Sequence, residues 1–230
     1  PPGPWIFHVN APEMMAALAR LDPRRLKGPR YGYWAWELPA APPAWLRHAE
    51  TLDEIWAPSA YTAAAFAGAP TPVRVVPHPF FLEDYRNIAP EPRRTDFQAV
   101  ALFDFNSSAA RKNPEGAIAA FSKAFGDDPA AHLVIKTQNG DQHPQALERL
   151  RRLAPANVTL EDAVWPYGRV KGLIAAADVL ISLHRAEGFG LTMAEASVIM
   201  EEINRSGGNS GACHGQMYVM NAIVRSGSQA

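Results

Sequence analysis

Asp178, Val179, Leu180, Ile181, Ser182 and Leu183 read as one buried strand of a parallel sheet, followed by a turn carrying Gly188 and Gly190 and then a helical stretch. Strand, glycine turn and helix in that order commit the surrounding chain to a mixed α/β architecture, because parallel strands are joined by crossover elements. The same order makes a place for an anion. Glycines let the backbone approach a ligand, and the start of the following helix presents N–H groups that lack intrahelical partners. Glu187 and Glu195 bracket the turn. Two carboxylates would repel a phosphate unless they face another group, and sugar hydroxyls, which donate hydrogen bonds to carboxylates, meet that need. The ligand implied is a nucleotide sugar.

The rest of the chain keeps the alternation. Residues 5–9, 30–35, 54–57 and 73–76 are β-like, while helical patterns begin at Pro12 and cover 43–49 and 59–67. Ser59, after Pro58, is expected to cap the last of these helices, and Gly68 to stop it. Between residues 77 and 96 come Pro77, Pro79, Pro90 and Pro92 with mixed charge and no sustained period, the mark of a linker, and the domain boundary is expected near residue 90. Beyond it, strands at 98–104, 132–137 and 157–160 alternate with helices at 114–125, 144–153 and 167–176. In such a sheet ligands gather at the carboxyl ends of the strands, so the loops after Asp104, Leu160 and Leu183 are expected on one rim.

Charge and cysteine content narrow the partners. Lys and Arg number 22 against 23 acidic residues, which leaves no global charge to argue for nucleic acid or an acidic membrane. A chain of 230 residues can bury one large core or two small ones, and its 21 prolines favour short connections and two domains. The single Cys213 excludes an internal disulfide and has no metal-ligand spacing around it, so it reads as a free thiol. That leaves the compartment open with the cytoplasm favoured; no apolar run approaches membrane-spanning length, and peripheral membrane contact is left open. The chain opens on Pro1, Pro2 and Gly3 without an initiator Met, and is expected to be a fragment.

Two further groups carry candidate chemistry. Arg111 and Lys112 stand just before a helix that Asn113 can cap and Pro114 can begin. A diphosphate leaving group gains charge as the bond to it breaks, so cations placed beforehand stabilise the transition state more than the ground state. Lys112 is the better placed of the two, although the pair reads equally as ordinary solvated charge. Tyr31, Tyr33, Trp34 and Trp36 crowd beside Glu37. Aromatic faces with Trp36 and Glu37 at their end suit an acceptor sugar, but large aromatics in strands are more often core. His8, followed by Val9 and Asn10, can line a cleft from the other side, or equally be a structurally satisfied histidine.

Glu187, Gly188, Phe189, Gly190 and Leu191, followed by Glu195 and Ala196 with seven residues between the two glutamates, resemble the signature of retaining glycosyltransferases of family four. Segments 32–39 and 53–59 resemble a bacterial branch of that family, which extends the likeness from residue 5 to residue 196. The resemblance implies the α/β GT-B fold of two Rossmann-like, doubly wound domains. Residues 1–90 would be an incomplete acceptor-side domain with its linker, and 91–230 a nucleotide-sugar domain whose tail, 197–230, departs from the family's pattern.

The resemblance further implies roles for individual residues. Glu187 would contact the donor sugar, and the amides of Gly188, Phe189, Gly190, Leu191 and Thr192 would face sugar and diphosphate. Glu195 would hold the ribose hydroxyls, and Arg111 with Lys112 would grip the diphosphate, so that catalysis rests on Glu187 and Lys112. Asn106 stands near a place where the family carries an Arg, so either Arg111 substitutes or the grip is weaker. Asp162 lies where the family receives the base, although a plain surface Asp is the stronger reading. His8, Trp36 and Glu37 are the acceptor-side candidates. The expected reaction moves a sugar, with retention, from a nucleotide diphosphate to a carbohydrate or lipid-linked hydroxyl, without a metal or other cofactor. A sugar-nucleotide epimerase or phosphorylase on the same fold, and a non-catalytic nucleotide-sugar-binding remnant, are the alternatives.

Overall fold

Short apolar runs bounded by prolines and polar turns form the strands β1 (Trp5–Phe7), β2 (Arg30–Tyr33), β3 (Glu54–Ala57) and β4 (Val73–Val75) in the computed structural model, which describes residues 3–22, 24–79, 81–190, 194 and 196–199. These strands pair in chain order and all parallel, with Ile6 opposite Tyr31, Gly32 opposite Ile55, and Ile55 opposite Val73. Helices α1 (Ala11–Leu18), α2 (Pro43–His48) and α3 (Ala60–Ala65) provide the crossovers. Pro12 and Pro43 occupy first turns, where a missing N–H removes no helical bond.

Ser59 caps α3 as expected, its hydroxyl accepting from the Thr62 amide at 3.1 Å. The helix ends at Ala65, ahead of Gly68, where Phe66 leaves helical geometry and enters the core. Its ring lies 5.6 Å from Trp34 and 6.3 Å from Trp45. With Phe7, Met14 and Ile55 these rings form the apolar centre of the first sheet, each large side chain contributing about 1.5–3 kcal/mol by burial.

A second sheet contains β5 (Phe97–Leu102), β6 (Ala131–Thr137), β7 (Val158–Asp162) and β8 (Val179–Leu180), in the order β7-β6-β5-β8 and parallel throughout. Its helices are α4 (Ala109–Lys112), α5 (Pro114–Phe125), α6 (Pro144–Leu153) and α7 (Tyr167–Ala175). Helix α6 shows why periodicity predicted it: Leu147 and Leu150 are buried while Arg149, Arg151 and Arg152 face solvent. Ala99, Ala101, Ile118, Phe121, Leu133 and Ile135 form the core beneath. β8 is shorter than the expected 178–183 because, among the described residues, it pairs only with β5. The Asp178 and Ile181 amides donate to the carbonyls of Gln98 and Val100 at 2.8 and 2.7 Å, and the ladder ends there.

The chain separates into two compact units, one made of the residues before Phe81 together with Ala186–Gly190, the other of Phe81–Arg185 and the described residues after 190. A physical tie keeps the proline-bearing stretch after Phe81 with the second unit. Lys171 on α7 donates to the Asp84 carbonyl and lies 4.9 and 4.8 Å from the rings of Tyr85 and Tyr167, whose hydroxyls are 3.0 Å apart. Gly172 lets the Ala89 carbonyl pass 2.6 Å from where a Cβ would stand. Leu191, Thr192, Glu195 and the tail beyond 199, with Cys213, lie outside the described residues.

Candidate functional site

In the second unit the chain winds from β5 toward β6 and β7, whereas β8 lies on the other side of β5. That reversal of strand order opens a crevice at the carboxyl ends of β5 and β8, the position where such sheets receive ligands. All four strands are parallel, so the loops after β5, β7 and β8 leave from one edge, as expected. Between β5 and α5 the expected open loop is instead a 3-10 turn, Phe105–Ser107, followed by α4, with Arg111 and Lys112 as its last residues.

Asn113 joins α4 to α5 in the left-handed region, with φ 51° and ψ 47°. It stands at the cap position of α5, but its side chain makes no capping bond. The amide is committed elsewhere: Nδ2 donates to the Leu183 carbonyl at 3.1 Å, drawing the loop after β8 toward the start of α5. The Arg185 amide donates to the Arg111 carbonyl at 2.8 Å and closes the same junction. A cavity of about 350 Å³ opens beside it, lined in part by Ala109, Asn113, Glu115, Arg149 and Arg185. Arg149 and Glu115 are paired there at 2.7 Å.

The neighbouring loops are fastened by polar groups, of which Asp104 and Asp162 are half-buried and Lys136 buried. Asp104 accepts from Gln138 Nε2 at 2.7 Å, Asn139 Nδ2 at 2.9 Å and the Asn106 amide at 2.8 Å. Burial pushes its carboxyl upward, but those donors prevail and hold it below the usual range. Asn106 is engaged in turn with His143 Nε2 at 2.9 Å. Asp162 ends β7 and accepts from the Gly140 amide at 3.2 Å. Lys136, buried at the end of β6, donates to the Thr137 carbonyl at 2.6 Å and to the Ala163 carbonyl, with Trp165 5.1 Å beneath. Burial lowers its pKa despite the nearby carboxylates of Asp162 and Glu161.

The loop Ala186–Gly190 takes its contacts within the first unit. The Gly188 carbonyl accepts from the Ser59 hydroxyl, and the Thr62 hydroxyl stands 3.1 Å from the Trp36 carbonyl and 3.3 Å from that of Gly188. A Cβ on Gly188 would meet the Trp36 carbonyl at 2.7 Å, so the chain's own backbone already requires glycine here. Gly190 is required for another reason, a φ of 75°. Phe189 sets its ring edge-on to His78 at 5.0 Å. Glu187 and Lys112, the two expected catalytic residues, thus belong to different units.

Of the acceptor-side candidates, Trp36 uses its indole N–H on the Ala40 carbonyl at 2.8 Å and packs against Trp45 at 4.9 Å. Glu37 accepts from the Tyr61 hydroxyl through its backbone carbonyl at 3.3 Å. His8, exposed just beyond β1, stacks on Tyr33 at 4.6 Å and 13°. The residues that sequence reasoning passed over are Lys136, the Asp104 network and His78. For His78 the signal was present, an imidazole held between Pro77 and Pro79 directly after a strand.

No protein-family model matches the chain, and no curated protein does. Solved structures do. The chain is similar to TarM, at 12% identity and a TM-score of 0.61 over 85% of this chain and 39% of that one. It is similar to a trehalose-6-phosphate structure from E. coli bound with UDP-2-fluoro glucose, at 11% identity and a TM-score of 0.62 over 83% of this chain and 59% of that one. A UDP-forming alpha,alpha-trehalose-phosphate synthase from Burkholderia xenovorans gives 14% identity and a TM-score of 0.59 over 83% and 59%. The likeness is one of fold, and the chain spans less than two thirds of the length of each. The GT-B fold class expected from the sequence, two parallel-sheet Rossmann-like units, is the fold class of the chain.

Proposed function

We propose that the chain belongs to a glycosyltransferase that moves a sugar from a nucleoside diphosphate to a hydroxyl acceptor. The observation that carries this reading is the junction at the β5–β8 switch point, where the Arg185 amide and the Asn113 side chain fasten the loop after β8 to the loop bearing Arg111 and Lys112. Two cations beside an α/β crevice, and a glutamate–glycine turn continuing from the same strand, suit a ligand with a diphosphate at one end and hydroxyls at the other. The folds it resembles include one bound with UDP-2-fluoro glucose, which supports a uridine nucleotide as the first donor to test.

In this reading Lys112 and Arg111 offset the charge that builds on the leaving diphosphate. Glu187 orients the donor sugar and Glu195 the ribose. Transfer proceeds with retention, the departing phosphate taking the acceptor's proton on the same face. The acceptor is a carbohydrate or a lipid-linked alcohol. No helix among the described residues is long and apolar enough to cross a membrane.

Calorimetry with UDP, ADP and GDP tests the donor half directly. Binding of at least one is expected, and Glu195→Ala is expected to weaken it by about 1.5–3 kcal/mol through loss of hydrogen bonds to a charged acceptor. If no nucleoside diphosphate binds, or if Glu195→Ala leaves the affinity unchanged, the assignment is wrong.

A further inference from the structure

His8, Tyr33 and His78 come together at the carboxyl edge of the first sheet, just beyond β1, at the end of β2 and just beyond β4. The hydrogen bonds among them fix which histidine nitrogen carries a proton. The Tyr33 hydroxyl is 2.9 Å from the Val76 carbonyl oxygen and 3.1 Å from His78 Nδ1. A phenol has one proton and a carbonyl can only accept, so Tyr33 donates to Val76. Its oxygen is then an acceptor, and His78 must supply the proton of the second bond from Nδ1. The neutral ring therefore keeps its lone pair on Nε2.

The surroundings favour that neutral form. Tyr33 is buried and His78 half-buried, with His8 6.5 Å away and Phe189 standing edge-on. Burial first, and then the neighbouring charge of His8, hold His78 below the usual imidazole range. Tyr33 is raised by burial and stays a phenol. No hydrogen bond to His78 Nε2 exists among the described residues. The result is an acceptor atom, set by its partners, beside two stacked rings at the ligand-receiving edge of a parallel sheet.

We propose that His78 Nε2 accepts a hydrogen bond from a hydroxyl of a sugar-like acceptor, with the stacked rings of His8 and Tyr33 forming the apolar surface beside it. This rests on the glycosyltransferase reading for the identity of the acceptor, and it moves the acceptor-side contact from Trp36, whose indole N–H is taken by the Ala40 carbonyl, to His78. Such a site selects for a hydroxyl donor and against an ether or a carboxylate at the same position, because neither of those offers a proton to Nε2.

The experiment is long-range 1H–15N correlation of the histidine rings in the full chain, with methyl α-D-glucopyranoside as the probe. His78 is expected as the Nδ1–H form, and its Nε2 signal is expected to move as the glucoside is added. His78→Asn places an amide where Nδ1–H stood and removes the acceptor, so the glucoside should bind about tenfold more weakly. His78→Gln reaches nearer the Nε2 position and should stay within about threefold of the parent. An Nε2–H form, an Nε2 signal indifferent to the glucoside, or equal affinities for the two variants overturns the proposal. UDP binding measured on the same samples keeps the two readings apart, since its absence counts against the donor assignment and leaves the His78 result standing.

Discussion

The backbone amide of Arg185 donates to the carbonyl of Arg111 at 2.8 Å, joining the loop that follows β8 to the end of α4. Seventy-four positions of sequence separate the two (185 − 111), yet the bond joins the loops after β5 and β8 at the sheet's point of reversal. Asn113 reinforces that junction from the next residue but one.

Substitution at Asn113 separates its two duties. Asn113→Gly keeps a residue at ease with φ 51° and loses the bond to Leu183 together with the longer one that Oδ1 accepts from Arg185 at 3.5 Å, a cost of about 0.5–1.5 kcal/mol for the shorter bond. Asn113→Ala loses the bond and adds left-handed strain of about 1–2 kcal/mol. Urea unfolding should rank parent above Gly above Ala. If Ala matches Gly, backbone conformation is not what Asn113 contributes.

Gly188→Ala should destabilise the first unit by about 1–3 kcal/mol, because the new methyl group meets the Trp36 carbonyl at 2.7 Å and that oxygen belongs to backbone. Gly3→Ala, with open space around the added atom, is the control. Tryptophan fluorescence followed through denaturation reports the difference, and a midpoint shared by the two variants would refute the packing argument.

Acid should weaken the second unit in two stages. His132 bonds Thr159 Oγ1 at 2.8 Å, and burial, then the charge of Arg94, lowers its pKa. Its unfolded form therefore takes up a proton first, so stability is complete above about pH 6.5 and declines as the pH falls below it. Asp178 is raised by burial but lowered more by Arg93 and the Gln98 amide, giving a net depression. Its contribution is complete above about pH 4 and is lost as the pH falls through the still lower folded value. Thermal midpoints from pH 8 to pH 3 should show both declines, with His132→Gln flattening the first and Asp178→Asn the second. A profile that each variant leaves unaltered contradicts the assignment.

Lys112→Ala should reduce kcat more than it raises KM once donor and acceptor are known, since charge on the diphosphate develops as the sugar leaves. A loss of about 2–4 kcal/mol of transition-state stabilisation is expected by comparison with single donors of an oxyanion hole. Steady-state kinetics showing only a higher KM would assign Lys112 to uniform binding.

Sequence alone determined the alternation of strands and the longer helices, though not the short helix α4, which was expected as loop. Helices 114–125 and 144–153 were legible because their apolar positions repeat at helical spacing and prolines mark their starts, and Ser59 was legible as a cap because a hydroxyl after a proline bonds locally. The strand–glycine–helix segment gave the α/β class for the same reason: each signal lies within a few residues of its effect. What the tertiary structure decided involves partners far apart in the chain. Gly188 is glycine because a carbonyl 152 positions away (188 − 36) leaves no room for a Cβ. Asn113 gives its amide N–H to the Leu183 carbonyl, 70 positions on, and His78 keeps its proton on Nδ1 because the Val76 carbonyl takes the only proton Tyr33 has. A donor's choice among acceptors depends on distances that only the folded chain sets, and no local pattern of residue types carries them.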